Sequence, residues 1–130
     1  MNPKDTKILL IDDDEMILKS LITVFSAEGF QMLTARDGNE GLVQALNKEP
    51  NLIITDVEMD KADGMSVLHE IRKAGPWGEK VPVIILTNFD ANDEVMKGIV
   101  ADKPSLFLLK SKVNPVEILE KVKDLLSKEI

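Results

Sequence analysis

The sequence predicts an α/β fold with a doubly wound, five-stranded parallel sheet in the order 2-1-3-4-5. Two observations lead to this fold class: short apolar runs recur along the chain, and segments with helical periodicity separate them. Strand and helix thus alternate five times, and right-handed crossovers leave few arrangements for such a chain. A length of 130 residues fits one domain of this kind.

The strands are predicted from their apolar patterns. Four runs are unbroken, which is typical of parallel strands buried on both faces, and they cover residues 8–11, 52–54, 83–86 and 106–109. A fifth run, residues 30–35, alternates more and is bounded by residues that favour turns. We therefore expect this fifth run to be the outermost strand.

The first two helices are predicted from apolar spacing and from capping residues. Apolar side chains three and four residues apart indicate a helix over residues 15–28 that ends at Gly29. Asp37 and Glu40 have the spacing of a capping box, so a second helix begins there and ends before Pro50.

The later helices vary in how clearly the sequence marks them. We expect helices over residues 65–73 and 92–101, although Gly98 weakens the second of these. The last helix is clearly marked, because Asn114 is a good N-cap and proline and glutamate follow at favourable positions. Residues 74–80 contain two glycines and a proline and are interpreted as a turn with a locally packed tryptophan.

Composition excludes several classes of function. The chain has 23 acidic and 16 basic residues and a net charge of -7, which opposes binding to nucleic acid and to anionic membranes. It contains no cysteine, so disulfides, thiolate metal sites and cysteine nucleophiles are excluded. The apolar runs are far shorter than the roughly 18 residues of a membrane helix, and the polar opening is not a signal peptide. These features predict a cytoplasmic protein that binds neither nucleic acid nor membranes.

Polar side chains follow the interior strands where each strand ends. Asp12 and Asp13 follow the first run, Asp56 the second, Thr87 the third and Lys110 the fourth. In the predicted sheet these residues converge on one edge, where two carboxylates about 4 Å apart repel by about 4 kcal/mol at an effective dielectric constant of 20. An acidic loop alone is usually just solvated, but the complete set suits Mg²⁺ and the oxygens of a phosphoryl group.

Four segments together closely resemble the response-regulator receiver domain of two-component signalling, which has a flavodoxin-like fold. They are Ile-Asp-Asp-Asp-Glu at 11–15, Asn-Leu-Ile-Ile-Thr-Asp-Val-Glu-Met-Asp-Lys-Ala-Asp-Gly at 51–64, Pro-Val-Ile-Ile-Leu-Thr at 82–87 and Phe-Leu-Leu-Lys at 107–110. The similarity extends over about residues 7–126, so the prediction is a single receiver domain over 1–130 with no output domain.

The resemblance implies a metal site and a phosphoryl acceptor. Asp56 corresponds to the acceptor, which is phosphorylated in a reaction that needs Mg²⁺. Asp12 and Asp13 correspond to the acidic pair that holds Mg²⁺ together with Asp56. Glu58 corresponds to the residue whose backbone carbonyl completes the metal site.

The resemblance also implies a switch. Thr87 corresponds to the hydroxyl that moves toward the phosphoryl group, Phe107 to the aromatic side chain coupled to it, and Lys110 to the lysine that pairs with the phosphate. Three positions depart from the usual pattern of the family. Asp60 stands in place of a proline, Asn88 in place of a small residue, and Ser111 in place of a proline that follows the lysine through a cis bond. A cis bond before a residue other than proline costs about 2.5–4 kcal/mol, so the Lys110-Ser111 bond is expected to be either strained or trans.

The function expected from the resemblance is a phosphoacceptor switch rather than an enzyme, since the domain catalyses only its own phosphorylation and dephosphorylation. The phosphoryl donor would be a histidine kinase or a histidine phosphotransfer protein. The switch would act by onward transfer or by binding a target protein through the face formed by the helix over 92–101, the last strand and the last helix.

Two alternatives remain open from the sequence. A receiver-like adaptor would bind its partner regardless of phosphorylation, so the substitution Asp56→Asn would leave partner affinity unchanged. A phosphohydrolase would use Asp56 as its nucleophile. Such enzymes usually have a second aspartate two residues later, where this chain has Glu58, and this chain has no room for a cap domain.

Overall fold

The structure is a computed structural model that describes residues 2–56, 64–88 and 102–128. Five strands lie in these ranges: β1 (Lys7–Ile11), β2 (Gln31–Ala35), β3 (Leu52–Thr55), β4 (Val83–Thr87) and β5 (Leu106–Leu109). The described helices are α1 (Glu15–Glu28), α2 (Gly38–Lys48), α3 (Gly64–Arg72), α4 (Gly75–Lys80) and α5 (Pro115–Ser127). None of the helices in this part of the chain has the length and apolar character needed to span a bilayer.

The five strands form one sheet in the order β2-β1-β3-β4-β5, and all neighbouring strands are parallel. This confirms the predicted order and places β2 at one edge. The expectation that the strand at residues 106–109 is buried on both faces is wrong, because β5 is half-buried along its whole length. Among the described strands it lies at the other edge and pairs with β4 alone.

The ends of the first two helices follow the local signals. Gly29 ends α1 in the left-handed conformation with a φ of 103°. At the start of α2 the Asp37 side chain accepts a hydrogen bond from the backbone N–H of Glu40. The Glu40 carboxylate reaches back to the N–H of Arg36, at 3.3 Å, one residue further than a standard capping box.

The interpretation of residues 74–80 as a turn is wrong, because Gly75–Lys80 forms the short helix α4. Its proline lies in the first turn, where a missing N–H costs nothing. Trp77 is not packed only locally: its indole N–H donates to the carbonyl oxygen of Pro50 over 2.9 Å. Tertiary contacts therefore stabilise a helix that its composition disfavours. The helix predicted over 92–101 lies outside the described residues.

The core lies on both faces of the sheet. Ile8 and Leu10 of β1 belong to a first cluster with side chains of α1 and α5. Leu9 and Ile11 belong to a second cluster with side chains of α2 and α3. The last residue of β1, Ile11, is therefore held under α2, directly before the acidic run.

Candidate functional site

The sheet backbone places two carboxylates side by side. Ile11 and Thr55 are paired across β1 and β3, so the residues that follow them, Asp12 and Asp56, emerge next to each other. The N–H of Asp56 donates to the carbonyl oxygen of Ile11, and that of Asp12 to the carbonyl oxygen of Ala35, both over 3.0 Å. Both acidic residues are therefore fixed by strand pairing before their side chains make any contact.

Lys110 binds both carboxylates. Its Nζ lies 2.7 Å from Oδ2 of Asp12 and 2.9 Å from Oδ2 of Asp56. The side chains of Lys110 and Asp56 are each 6% exposed and that of Asp12 is 5% exposed. Three side chains that the sequence places at one sheet edge thus meet there, in one buried ion-pair network.

Burial and charge act against each other in this network. Burial raises the pKa of Asp12, and its hydrogen bonds from Lys110 and from the backbone of Asp14 offset this only in part. Burial alone would lower the pKa of Lys110. The hydrogen bonds and negative charges of Asp12 and Asp56 together outweigh burial, so the pKa of Lys110 is raised. The excess of negative charge therefore holds the lysine in its charged form.

Asp13 completes a group that fits a divalent metal. Asp12, Asp13 and Asp56 each offer a carboxylate oxygen, and these oxygens lie within 4.8 Å of one another. Asp12 and Asp56 are buried, whereas Asp13 is exposed and keeps one side of the group open to solvent. Three negative charges and the one positive charge of Lys110 leave a net charge of about -2, which matches a hard divalent cation. The predicted fourth contributor, Glu58, lies outside the described residues.

Thr87 lies on β4, next to the strand that precedes Asp56, and Phe107 lies on β5, one strand further. Thr87 is the last residue of β4 and is fully buried. Phe107 pairs with Ile85 across β4 and β5, is half-buried, and packs against the second core cluster. The structure thus places the predicted switch hydroxyl at the same sheet edge as Asp56, with the predicted aromatic residue on the adjoining strand.

The segment after β5 differs from the usual family pattern. No peptide bond among the described residues is cis, so the bond between Lys110 and Ser111 is trans. Lys110–Lys112 forms a 3-10 turn in which Ser111 is exposed. Asn88 is also exposed, while Asp60 lies outside the described residues.

Asp14 has a role that the sequence analysis missed. Its carboxylate accepts hydrogen bonds from the N–H groups of Met16 and Ile17 and so caps the N-terminus of α1. Its own N–H donates to Oδ1 of Asp12 over 2.9 Å. An aspartate directly before a helical pattern is a signal for such a cap, so this role was predictable.

Arg72, in α3, also makes contacts that the sequence does not suggest. Its guanidinium donates to the carbonyl oxygens of Gly78, Val81, Asp102 and Lys103 at distances of 2.7–2.9 Å. Burial lowers the pKa of Arg72, although the charge of Asp102 opposes this shift. The arginine therefore ties α3 to the segments that precede β4 and β5. His69, one turn earlier in α3, pairs with Asp102 at 2.9 Å and is half exposed.

Comparison with known proteins identifies the family. A family model described as the response regulator receiver domain matches residues 8–123. The chain belongs to this family. Receiver domains of response regulators are signalling switches that receive phosphate from histidine kinases, and this one has their five-stranded fold.

Relatives and solved structures agree with this assignment. The transcriptional regulatory protein GlrR of Escherichia coli is 39% identical over 108 residues, which cover 82% of this chain and 23% of that protein. The chemotaxis protein CheY4 of Vibrio cholerae has a TM-score of 0.82 and 25% identity, over 92% of this chain and 97% of that chain. A CheY-like receiver domain protein from Methanospirillum hungatei has a TM-score of 0.86 and 28% identity, over 95% and 94% of the two chains.

Proposed function

We propose that this receiver domain accepts a phosphoryl group on Asp56 in a reaction that requires Mg²⁺. A histidine kinase or a histidine phosphotransfer protein would supply the group. The observation that supports this proposal is the convergence of Asp12, Asp13, Asp56 and Lys110 at one sheet edge, with a residual charge that suits a divalent cation.

The chemistry follows from the surroundings of Asp56. A carboxylate oxygen of Asp56 attacks phosphorus and forms a P–O bond, while the P–N bond of the donor phosphohistidine breaks and its electron pair returns to the imidazole. Lys110, already 2.9 Å from Asp56 Oδ2, pairs with the oxygens of the transferred group. The Thr87 hydroxyl donates a hydrogen bond to the same group. Bound Mg²⁺, held by Asp12, Asp13, Asp56 and the carbonyl of Glu58, would neutralise charge on the phosphoryl oxygens.

After phosphorylation, the phosphoryl oxygens would compete with the two carboxylates for the ammonium group of Lys110. The lysine is shared by two carboxylates, and a phosphoryl group adds about 1.5 to 2 negative charges and further acceptor oxygens. Movement of Lys110 and Thr87 would pass to Phe107 and to the face formed by β5 and α5. We propose that this face binds the target protein.

The output of this domain is proposed to be protein binding or onward transfer of the phosphoryl group. A net charge of -7 opposes direct contact with DNA or with anionic membranes. GlrR is named a transcriptional regulatory protein, but only 23% of its length is matched, so its activity is not carried over to this chain. The acidic composition and the lack of cysteine favour action in the cytoplasm.

The test is the intact mass of the protein after incubation with acetyl phosphate and Mg²⁺. We expect the wild type to gain one phosphoryl group, and expect none on Asp56→Asn or on protein kept in chelator. Asp14→Asn is the matched control, because Asp14 caps α1 and asparagine caps helices equally well. This variant should be phosphorylated like the wild type.

Two outcomes would contradict the proposal. If the wild type binds Mg²⁺ but gains no phosphoryl group, the adaptor hypothesis is favoured, and partner affinity should then be the same for wild type and Asp56→Asn. Repeated turnover of a phosphomonoester that Asp56→Asn abolishes would instead favour the phosphohydrolase hypothesis.

A further inference from the structure

Gly41, in helix α2, lies directly against the side chain of Ile11 in strand β1. A Cβ atom built on Gly41 would lie 2.5 Å from Cδ1, 2.8 Å from Cγ1 and 2.9 Å from Cγ2 of Ile11. Nonbonded carbon atoms prefer separations of about 3.5–4.0 Å, so any side chain at position 41 would force a displacement. The two residues therefore form one packing unit in which the isoleucine fills the space that the glycine leaves.

Ile11 has little freedom to move away. It is 1% exposed and belongs to the second core cluster. It is branched at Cβ, so rotation about χ1 exchanges one crowded γ carbon for the other instead of clearing the contact. Its backbone is paired with Ala35 on one side and with Thr55 on the other. A side chain at position 41 would therefore displace either the end of β1 or helix α2.

The end of β1 is also where the carboxylates are fixed. The carbonyl oxygen of Ile11 accepts the hydrogen bond from the N–H of Asp56 over 3.0 Å. The next residue in the chain is Asp12. A displacement of Ile11 therefore acts on both acidic residues that share Lys110.

We propose that Gly41 is a positioning residue for the carboxylate group of Asp12, Asp13 and Asp56. The missing side chain lets α2 pack against Ile11, and Ile11 then holds Asp12 and Asp56 at the separation that a divalent cation requires. The role of the metal in this inference rests on the proposed function. The positioning of Asp12 and Asp56 by Gly41 and Ile11 is a property of the metal-free protein and can be tested without Mg²⁺.

The experiment compares Gly41→Ala, Ile11→Val and the double variant. We expect Gly41→Ala to lower the Mg²⁺ affinity at least tenfold and to slow phosphorylation by acetyl phosphate. Ile11→Val removes Cδ1, the atom nearest to position 41, and alone should change the affinity less than threefold. The double variant should recover part of the loss, because Ile11→Val removes the shortest of the three contacts, at 2.5 Å, and leaves those of the two γ carbons at 2.8 and 2.9 Å.

A control separates positioning from general destabilisation. Val122→Ala creates a cavity in the first core cluster, on the opposite face of the sheet, and so destabilises the fold without touching Ile11. Its Mg²⁺ affinity should match that of the wild type at a temperature where all variants are folded. Affinity is measured by calorimetric titration. The amide ¹H shift of Asp56 in metal-free protein reports the hydrogen bond to Ile11. It should change in Gly41→Ala and move back toward the wild-type value in the double variant.

The outcomes are distinguishable. The inference would be overturned if Gly41→Ala binds Mg²⁺ as tightly as the wild type, or loses no more affinity than Val122→Ala. It would also be overturned if the double variant recovers none of the lost affinity. If Gly41→Ala does not fold, the double variant decides: it relieves the shortest contact, so its failure to fold or to bind Mg²⁺ would overturn the inference. If the wild type binds no Mg²⁺, the proposed function fails instead, and the Asp56 amide shift still tests the positioning role.

Discussion

Replacing Lys110 by methionine removes the charge that Asp12 and Asp56 share. Loss of one partner from a buried ion pair costs about 3–5 kcal/mol. Since exposed Asp13 keeps one side of the group open to water, we expect the lower end of this range, about 3 kcal/mol at neutral pH without metal. For a domain of 130 residues, such a loss lowers Tm on the order of 10 °C.

Mg²⁺ should reverse part of this loss. A ligand that binds only the folded state stabilises it by about 2.7 kcal/mol at 100 times its Kd. Removing Lys110 makes the charge of the group more negative by one unit, so Lys110→Met should bind Mg²⁺ more tightly than the wild type and gain more stability from it. Urea unfolding with and without Mg²⁺, followed by the fluorescence of the single tryptophan, measures both effects.

Lys112→Met is the matched control for this experiment. Lys112 lies in the same 3-10 turn as Lys110 but is exposed, so its replacement should change stability by less than about 0.5 kcal/mol. The reasoning is refuted if the two variants lose equal stability, or if Mg²⁺ leaves the gap between Lys110→Met and the wild type unchanged.

Three further predictions concern two helices and the carboxylate group. Gly78→Ala should cost about 1–3 kcal/mol in urea unfolding, because its Cβ would run into the backbone carbonyl oxygen of Ile71; stability equal to that of the wild type would contradict this. Asn114→Ala should cost about 1 kcal/mol through loss of the α5 cap, whereas Asn114→Asp should cost nearly nothing. Asp13→Asn should weaken Mg²⁺ binding roughly tenfold in calorimetry, since a unit charge about 4 Å away is worth about 1–4 kcal/mol; unchanged affinity would remove Asp13 from the site.

The parts of the fold that were predictable depend on local rules. The helix over 15–28 agrees with α1 at both ends because an aspartate precedes it and a glycine ends it. The capping box at Asn114 and Glu117 is likewise present in α5. Unbroken apolar runs predict the interior strands β1, β3 and β4 correctly. Helices cover both faces of a parallel sheet, so most side chains of such a strand are buried and apolar.

The parts that were not predictable depend on distant contacts. The glycines and the proline of α4 favour a turn, but the hydrogen bond from Trp77 to Pro50, 27 residues away, stabilises a helix. Local sequence does not reveal a contact over that distance. The role of Arg72 leaves no trace in the sequence, because its partners are backbone carbonyls that any residue can supply. At the candidate site, the set of polar residues was predictable from the strand ends, whereas the sharing of one lysine by two carboxylates was not.

The strands also differ in how firmly they hold their polar residues. Asp12 and Asp56 follow β1 and β3, which are interior strands paired on both sides, while Lys110 follows β5, a half-buried edge strand with one neighbour. A displacement of the carboxylates would disturb the hydrogen bonds that β1 and β3 make with the strands on both of their sides. A displacement of Lys110 disturbs the end of β5 and an exposed turn. When a phosphoryl group competes for the lysine, we therefore expect the carboxylates to stay in place and the change to appear in β5. Because Phe107 lies on that strand, this edge of the sheet is also the part that leads to the proposed binding face.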